Sequence, residues 1–358
     1  MGNGKYLDVA NWIQEQVASG ELQPGSKIYS EHELSSMFQL SRQTIRHAVG
    51  LLEEKGVVVR VKGSGTYINS ILGNQLSERK RVAVITTYVD SYIFPKTIQG
   101  IEAELSKNGY AVQISFTNNM VERERRILKE LIEKNDVSGI ILEPIKSALP
   151  NPNMDLYQKL KILHIPILCI NSYYKELNLP HVSLNDVLVA KKATNYLIQA
   201  GHKKIGAILK SDDGQGHLRY CGYFQAMKEA GLQIQDVSII WVDTYDMKNL
   251  RDMKQYIIGR LSSCTACFCY NDQVAFDLIE LLKEEKLRVP DNLSVVGIDG
   301  SDLAMQGEVK ITTFPHPMER LGEVAARNLI QMTKNPIFDG TYEFDSEICE
   351  HNSVRTIL

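Results

Sequence analysis

Apolar positions recur along this chain at two rhythms, and the rhythm changes once. In residues 5 to 68 the spacing is helical three times and then strand-like. Val9, Trp12, Ile13 and Val17 share one face of a first helix, which Gly20 stops. Ser30 and Glu33 form a capping box opening a second helix, with Leu34, Met37 and Phe38 as its expected buried stripe. Ser41 opens a third helix that turns Ile45, Ala48, Val49 and Leu52 inward and leaves Arg42, Gln43, Arg46 and His47 outside. After Gly56, residues 57–61 and 66–68 read as strands joined by Lys62-Gly63-Ser64-Gly65.

Residues 69–81 keep no sustained period and are mostly polar. From Val82 onward short apolar runs alternate with amphipathic helical stretches. The strands are expected at 82–85, 111–114, 139–142 and 167–170, then at 205–208, 239–242, 266–269 and 293–296. Two consecutive sets of parallel βα units predict two Rossmann-like lobes, with a ligand in the crevice beyond the carboxyl ends of the strands. The chain therefore divides into an α+β winged helix-turn-helix reader at 1–70, a linker at 71–81, and an α/β two-lobed sensor at 82–358.

Composition adds limits. With 44% hydrophobic and 23% charged residues the chain is of ordinary globular type. Its 40 basic and 43 acidic residues leave a net charge of −3, so a nucleic-acid partner must meet a local basic face. Six cysteines are too sparse for a disulfide scaffold and fit a reducing compartment. The polar opening lacks the core of a signal peptide, and no run of about 18 apolar residues occurs, so a cytoplasmic protein with no membrane partner is expected.

A helix, a short turn and a second helix opening on Ser41, Arg42, Gln43, Thr44 and Arg46 present donors to the major groove of double-stranded DNA. Arginine can hold a guanine edge or a phosphate, and a glycine-bearing turn with Lys62, Gly63 and Gly65 can approach the backbone closely. In the sensor, Tyr88, Asp90 and Tyr92 follow the first strand, and Glu143, Asn171, Asn271 and Asp299 end later ones. Acids and amides interleaved with aromatics suit a sugar, whose hydroxyls both donate and accept while its C–H face packs on a ring. Asp272 is expected to cap the helix after its strand, leaving Asn271 for the cleft.

Other chemistries lack their residues. Cys264 and Cys267 have CxxC spacing but no second pair, so no metal is expected. Gly214-Gln215-Gly216 lacks the third glycine of a dinucleotide fingerprint, and no P-loop, nucleophile elbow or zincin helix occurs. No cofactor beyond a small sugar effector is expected. The rival classes are a sugar receptor serving a transporter and a sugar-processing enzyme, which product analysis after incubation with pentoses separates.

Ser41-Arg42-Gln43-Thr44-Ile45-Arg46, Leu52-Glu53-Glu54-Lys55-Gly56 and Gly63-Ser64-Gly65-Thr66-Tyr67-Ile68 together resemble the winged helix-turn-helix of the GntR family. That family's usual Pro-Ser-Glu-Arg is here Tyr29-Ser30-Glu31-His32, so the resemblance puts His32 at a DNA-facing corner. Gly201-His202-Lys203-Lys204-Ile205, Arg219-Tyr220-Cys221-Gly222-Tyr223, Tyr270-Asn271-Asp272, Val296-Gly297-Ile298-Asp299-Gly300 and Ile311-Thr312-Thr313 resemble the LacI/GalR family across about residues 80 to 335. This resemblance implies effector contacts from Arg219, Asn271 and Asp299, and a polar contact from His316. The combination resembles the arabinose-responsive repressors of Gram-positive bacteria. It implies a homodimer on operator DNA that L-arabinose releases.

Overall fold

The computed structural model describes residues 5–18, 21–23, 25–69, 80–88, 92–336 and 338–357. Gly20, Asp90 and most of the linker lie outside the described residues.

In the reader, α1 (Lys5–Ala18), α2 (Glu31–Phe38) and α3 (Arg42–Glu54) enclose a core of Val9, Ile13, Leu34, Ile45, Ala48, Val49 and Leu52. Ser30 accepts from the Glu33 amide and Glu33 returns the bond, so the capping box forms as its spacing predicts. Met37 departs from expectation. It is half exposed, because α2 has only eight residues and its inner side is filled by Leu34 with Phe38 alongside. The wing pairs β1 (Val58–Val61) with β2 (Gly65–Ile68), and Val61 faces Gly65 in register. Gly65 thus belongs to the ladder, and residues 62–64 make the turn.

The sensor holds two parallel sheets. The first runs β13-β7-β6-β5-β3-β4, from β3 (Arg81–Thr86), β4 (Ala111–Phe116), β5 (Gly139–Leu142), β6 (Ile167–Ile170), β7 (His181–Leu184) and β13 (Tyr342–Phe344). The second runs β12-β11-β10-β8-β9, from β8 (Ile205–Lys210), β9 (Ile239–Val242), β10 (Ala266–Cys269), β11 (Ser294–Asp299) and β12 (Thr312–Pro315). Residues of β5, β6, β10 and β11 are buried throughout, as strands covered by helices on both faces must be.

The two lobes are not two consecutive halves of the sequence, as the repeating rhythm suggested. Helix Asp186–Gln199 leaves β7 and packs in the second lobe through Val189, Ala190 and Ala193. Helix Met318–Lys334 leaves β12 and packs in the first through Leu321, Ala325 and Leu329. After β13 the chain crosses again, and Cys349 bridges to Thr313. Three passages between lobes bring the carboxyl ends of both sheets to one cleft, a hinge-like connection suited to closing on a ligand.

Candidate functional site

On the reader, Arg42, Gln43, Arg46 and His47 are exposed along one side of α3. Ser41 caps the helix by accepting from the Thr44 amide at 3.2 Å, and the two hydroxyls lie 2.9 Å apart, so part of their hydrogen-bonding capacity is spent on the cap. His47 stacks on Tyr6 with ring centres 4.2 Å apart. Arg46 donates to both carboxylate oxygens of Glu31, at 3.0 and 3.3 Å, and this bond lowers the Glu31 carboxyl below its ordinary range. His32 is exposed beside that pair. In the wing Lys62 and Gly63 are exposed, and Gly65 has φ 131° with a would-be Cβ only 2.5 Å from Lys27 Cε. Sequence reasoning missed Lys27, which reaches the wing from the loop before α2. It also missed Arg60, whose guanidinium lies 3.4 Å from Glu53 and donates to the Arg46 carbonyl at 3.5 Å.

In the cleft, the first lobe contributes a buried carboxylate. Glu143 accepts from the Thr86 hydroxyl at 2.8 Å, from the Thr87 amide and hydroxyl at 2.7 and 2.6 Å, and from Asn171 Nδ2 at 3.0 Å. Burial nevertheless raises its carboxyl above the ordinary range. Asn171 Oδ1 and the Tyr88 hydroxyl are buried with no hydrogen-bond partner among the described residues. Phe94 packs edge-on against Tyr88, so it lines the lobe.

The second lobe supplies a buried cation. Arg219 donates through Nε to Asp186 at 2.7 Å, through Nη1 to the Tyr270 carbonyl and through Nη2 to Asp299 at 3.4 Å, with its guanidinium over the Tyr270 ring. Burial alone would lower its pKa, and the carboxylates of Asp186 and Asp299 reverse that effect. Burial lifts Asp186 to about 6 against the pull of Arg219. Asp299 spans the lobes by accepting from the Tyr92 hydroxyl at 2.7 Å. Backbone conformation is unusual at this point: Tyr92, Asn171 and Asp299 all have positive φ, at 61°, 63° and 106°. His316 is buried with neither ring nitrogen partnered among the described residues, and burial lowers it to about 4.

One expectation is corrected. Asn271, not Asp272, caps the helix Asp272–Glu284, its Oδ1 accepting from the Val274 amide at 3.0 Å. Asp272 is fully buried one position further on and accepts from Ser301 and Thr313. The strand-end rule overlooked Lys210, which ends β8 between Asp212 and Asp213 at 3.7 and 3.5 Å, although the same rule would have found it. Asp186 had no such signal, because it sits on a helix that crosses from the other lobe. With Asp212 and Asp213 at Lys210, and Asp186 and Asp299 at Arg219, acids outnumber bases, which suits a neutral polyol better than an anion. Among the described residues, no three of His, Cys, Asp or Glu gather as metal ligands.

Known proteins carry the same plan. Residues 5–68 match the model of bacterial regulatory proteins of the gntR family, and residues 194–347 match a periplasmic binding protein-like domain. The arabinose metabolism transcriptional repressor of Geobacillus stearothermophilus is 36% identical across 99% of this chain and 98% of its own length. The repressor of the same name from Halalkalibacterium halodurans is 37% identical across 91% and 88%. Among solved structures, the transcription regulator CcpA of Lactococcus lactis superposes with a TM-score of 0.69 at 23% identity, over 77% of this chain and 99% of that one. The cellobiose complex of the transcriptional regulator CelR gives 0.68 at 20% identity, over 88% and 92%, and at such identity both speak for the fold alone. The chain belongs to the family of the arabinose metabolism transcriptional repressors, with a gntR-type reader joined to a periplasmic binding protein-like sensor, and is a sugar-responsive regulator of transcription rather than an enzyme.

Proposed function

We propose that two copies of this chain hold operator DNA through their winged readers, and that a neutral sugar, L-arabinose, seated between the sensor lobes lowers their grip. The observation carrying this reading is the set of buried polar atoms from both lobes that have no partner among the described residues: Asn171 Oδ1, the Tyr88 hydroxyl and both His316 nitrogens. Such atoms are costly unless something pairs with them, and sugar hydroxyls can both donate and accept. Glu143, Arg219 and Asp299 lie beside them, already oriented by their own bonds, and Tyr92 closes over Asp299. Asp90 lies outside the described residues, between Tyr88 and Tyr92 in the sequence. Asn271 contributes less in this reading, because its carbonyl oxygen is spent on the helix.

Ser41, Arg42, Gln43, Thr44 and Arg46 on α3, with Lys62, Gly63 and Gly65 in the wing and His32 at the corner, form the proposed DNA face. For dimerisation, the free sheet edges at β4 and β9 are the favoured surface. Ile114, Phe116 and Met120 are exposed on the first, and Trp241 and Tyr245 on or beside the second. Asn119 Nδ2 donates to Thr244 Oγ1 at 2.7 Å, so these apolar positions adjoin across the lobe boundary. A second copy covering both edges would feel any change in lobe angle and pass it to reader spacing. A coupling of about 1 to 3 kcal/mol changes operator affinity roughly 5- to 150-fold.

A cytoplasmic location fits this role, and no helix among the described residues is long and apolar enough to cross a membrane. Calorimetry with the aldopentoses, repeated with operator DNA present, tests the reading. L-Arabinose should bind and weaken operator affinity, whereas equal operator affinity with and without saturating sugar overturns the proposal.

A further inference from the structure

We propose that Asp272 is the positioning residue of the effector site, holding the turn at 299–301 so that Asp299 faces the cleft. The inference rests on reading that cleft as the sugar site. β11 ends on Asp299 at φ 106°, a backbone conformation that a residue with a side chain keeps only where its surroundings hold it. The two amides that follow both lead to Asp272. Ser301 N–H donates to Asp272 Oδ2 at 2.7 Å. Gly300 N–H donates to Thr313 Oγ1 at 3.2 Å, and that hydroxyl donates to Asp272 Oδ1 at 2.6 Å. The same turn fixes the entry to the next site residue, because His316 N–H donates to the Asp299 carbonyl at 2.9 Å.

The role is not that of a cap, since Asn271 already fills that position. Nor is Asp272 half of an ion pair: it is fully buried, and no cation lies in salt-bridge range of it among the described residues. An uncompensated buried carboxylate is a costly choice. An asparagine would be cheaper to bury, yet it offers one acceptor oxygen where the site aims two donors. Space is reserved for the second oxygen, because a Cβ on Gly297 would stand 2.4 Å from Asp272 Oδ1. Burial, then the Asp299 carboxylate, raise the Asp272 carboxyl to about 7. Asp299 on β11 acts on its ionisation, and Tyr92 of the first lobe feels its charge; Asp302 in the next turn, Cys267 and Cys269 on β10, Arg251 and Asp252 at 250–253, and Lys254, paired with Glu284 and Glu285 at the far end, also lie on elements packed against its helix.

The test uses the full chain, with calorimetry against L-arabinose and the other aldopentoses from pH 6 to 8, thermal melting without sugar, and operator binding without sugar. Asp272→Asn should weaken sugar binding on the order of 10- to 100-fold while leaving sugar-free melting and operator affinity at native values. Native sugar affinity should rise between pH 6 and 8 as Asp272 ionises, and the variant should lack that component. Thr313→Val, which cuts one of the two routes, should lose roughly 3- to 10-fold. Native affinity and an unchanged pH profile in Asp272→Asn overturn the proposal, as does a loss that only follows a lowered melting temperature. Should Asp272→Asn not fold, native affinity in Thr313→Val overturns it. A native protein that binds no aldopentose refutes the reading of the cleft itself, and this inference with it.

Discussion

Arg46 on the reader and Arg219 in the sensor meet carboxylates through similar bonds, in opposite surroundings. The Arg46 side chain is 64% exposed and its partner Glu31 34%, whereas Arg219, Asp186 and Asp299 are 2%, 1% and 5% exposed. A solvated pair gains little and can be exchanged for another anion, whereas a buried one cannot lose a member without stranding the rest. In the proposed reading, the reader keeps its cation ready for a large polyanion that arrives from outside. The sensor has built its cation into a buried framework that ties Asp186 to Asp299.

The largest effect should therefore come from Arg219→Ala. It strands the carboxylates of Asp186 and Asp299 and should cost the sensor about 3 to 5 kcal/mol, read from denaturant unfolding. A loss confined to sugar binding with native stability would break the contrast. Below the shifted midpoint the reader should still bind operator DNA. Arg42→Ala or Arg46→Ala should do the reverse, lowering operator affinity about ten- to a hundred-fold and flattening its salt dependence, with sugar affinity and melting unchanged.

His316 sharpens the same contrast within the sensor. Neither of its nitrogens is partnered among the described residues, so His316→Phe removes no side-chain bond seen there and should lower sugar affinity about tenfold without lowering stability at neutral pH. Burial holds His316 at about 4 rather than 6.5, so the folded chain binds fewer protons there than the unfolded chain. Its contribution to stability is present above pH 6.5 and is lost as pH falls toward 4, so His316→Phe should resist acid better than the native chain across that window.

The two regions also differ in how far they could be read from the sequence. The reader's inner and outer positions on α3 follow a single helical period, and Ile45, Ala48, Val49 and Leu52 are all buried. The α3 part of its proposed DNA face is contiguous in sequence, so periodicity suffices there, whereas Lys27 and Arg60 reach it from other elements and carry no periodic signal. In the sensor the strands with long apolar runs were legible. β7, β12 and β13 were not, being short and interrupted by Ser183, by Thr312 and Thr313, and by Glu343. Missing them hid the crossings between lobes, and with these the partnership of Arg219 with Asp186. Arg219, Asn171, Glu143 and Asp299 could be nominated from strand ends and resemblance, but the bonds among them depend on three-dimensional closure. That Asn271 and not Asp272 caps the helix turns on where β10 ends, a boundary that pattern leaves open by a residue or two.

The smallest effect should come from Glu31→Gln, which addresses the exposed pair directly. Glu31 holds the Arg46 guanidinium by two bonds but lies near the surface that would face phosphates. Removing its charge should leave the melting temperature within about 2 °C, as expected for a solvated pair. It should also remove a repulsive element that any DNA would meet, so binding to unrelated duplex should tighten about two- to fivefold at low salt, while operator affinity gains less because Arg46 loses its orienting partner. Fluorescence anisotropy with operator and scrambled duplexes measures both. A large loss of stability in Glu31→Gln would mean that the reader, like the sensor, depends on its ion pair for its framework, and the distinction between the two arginines would fail.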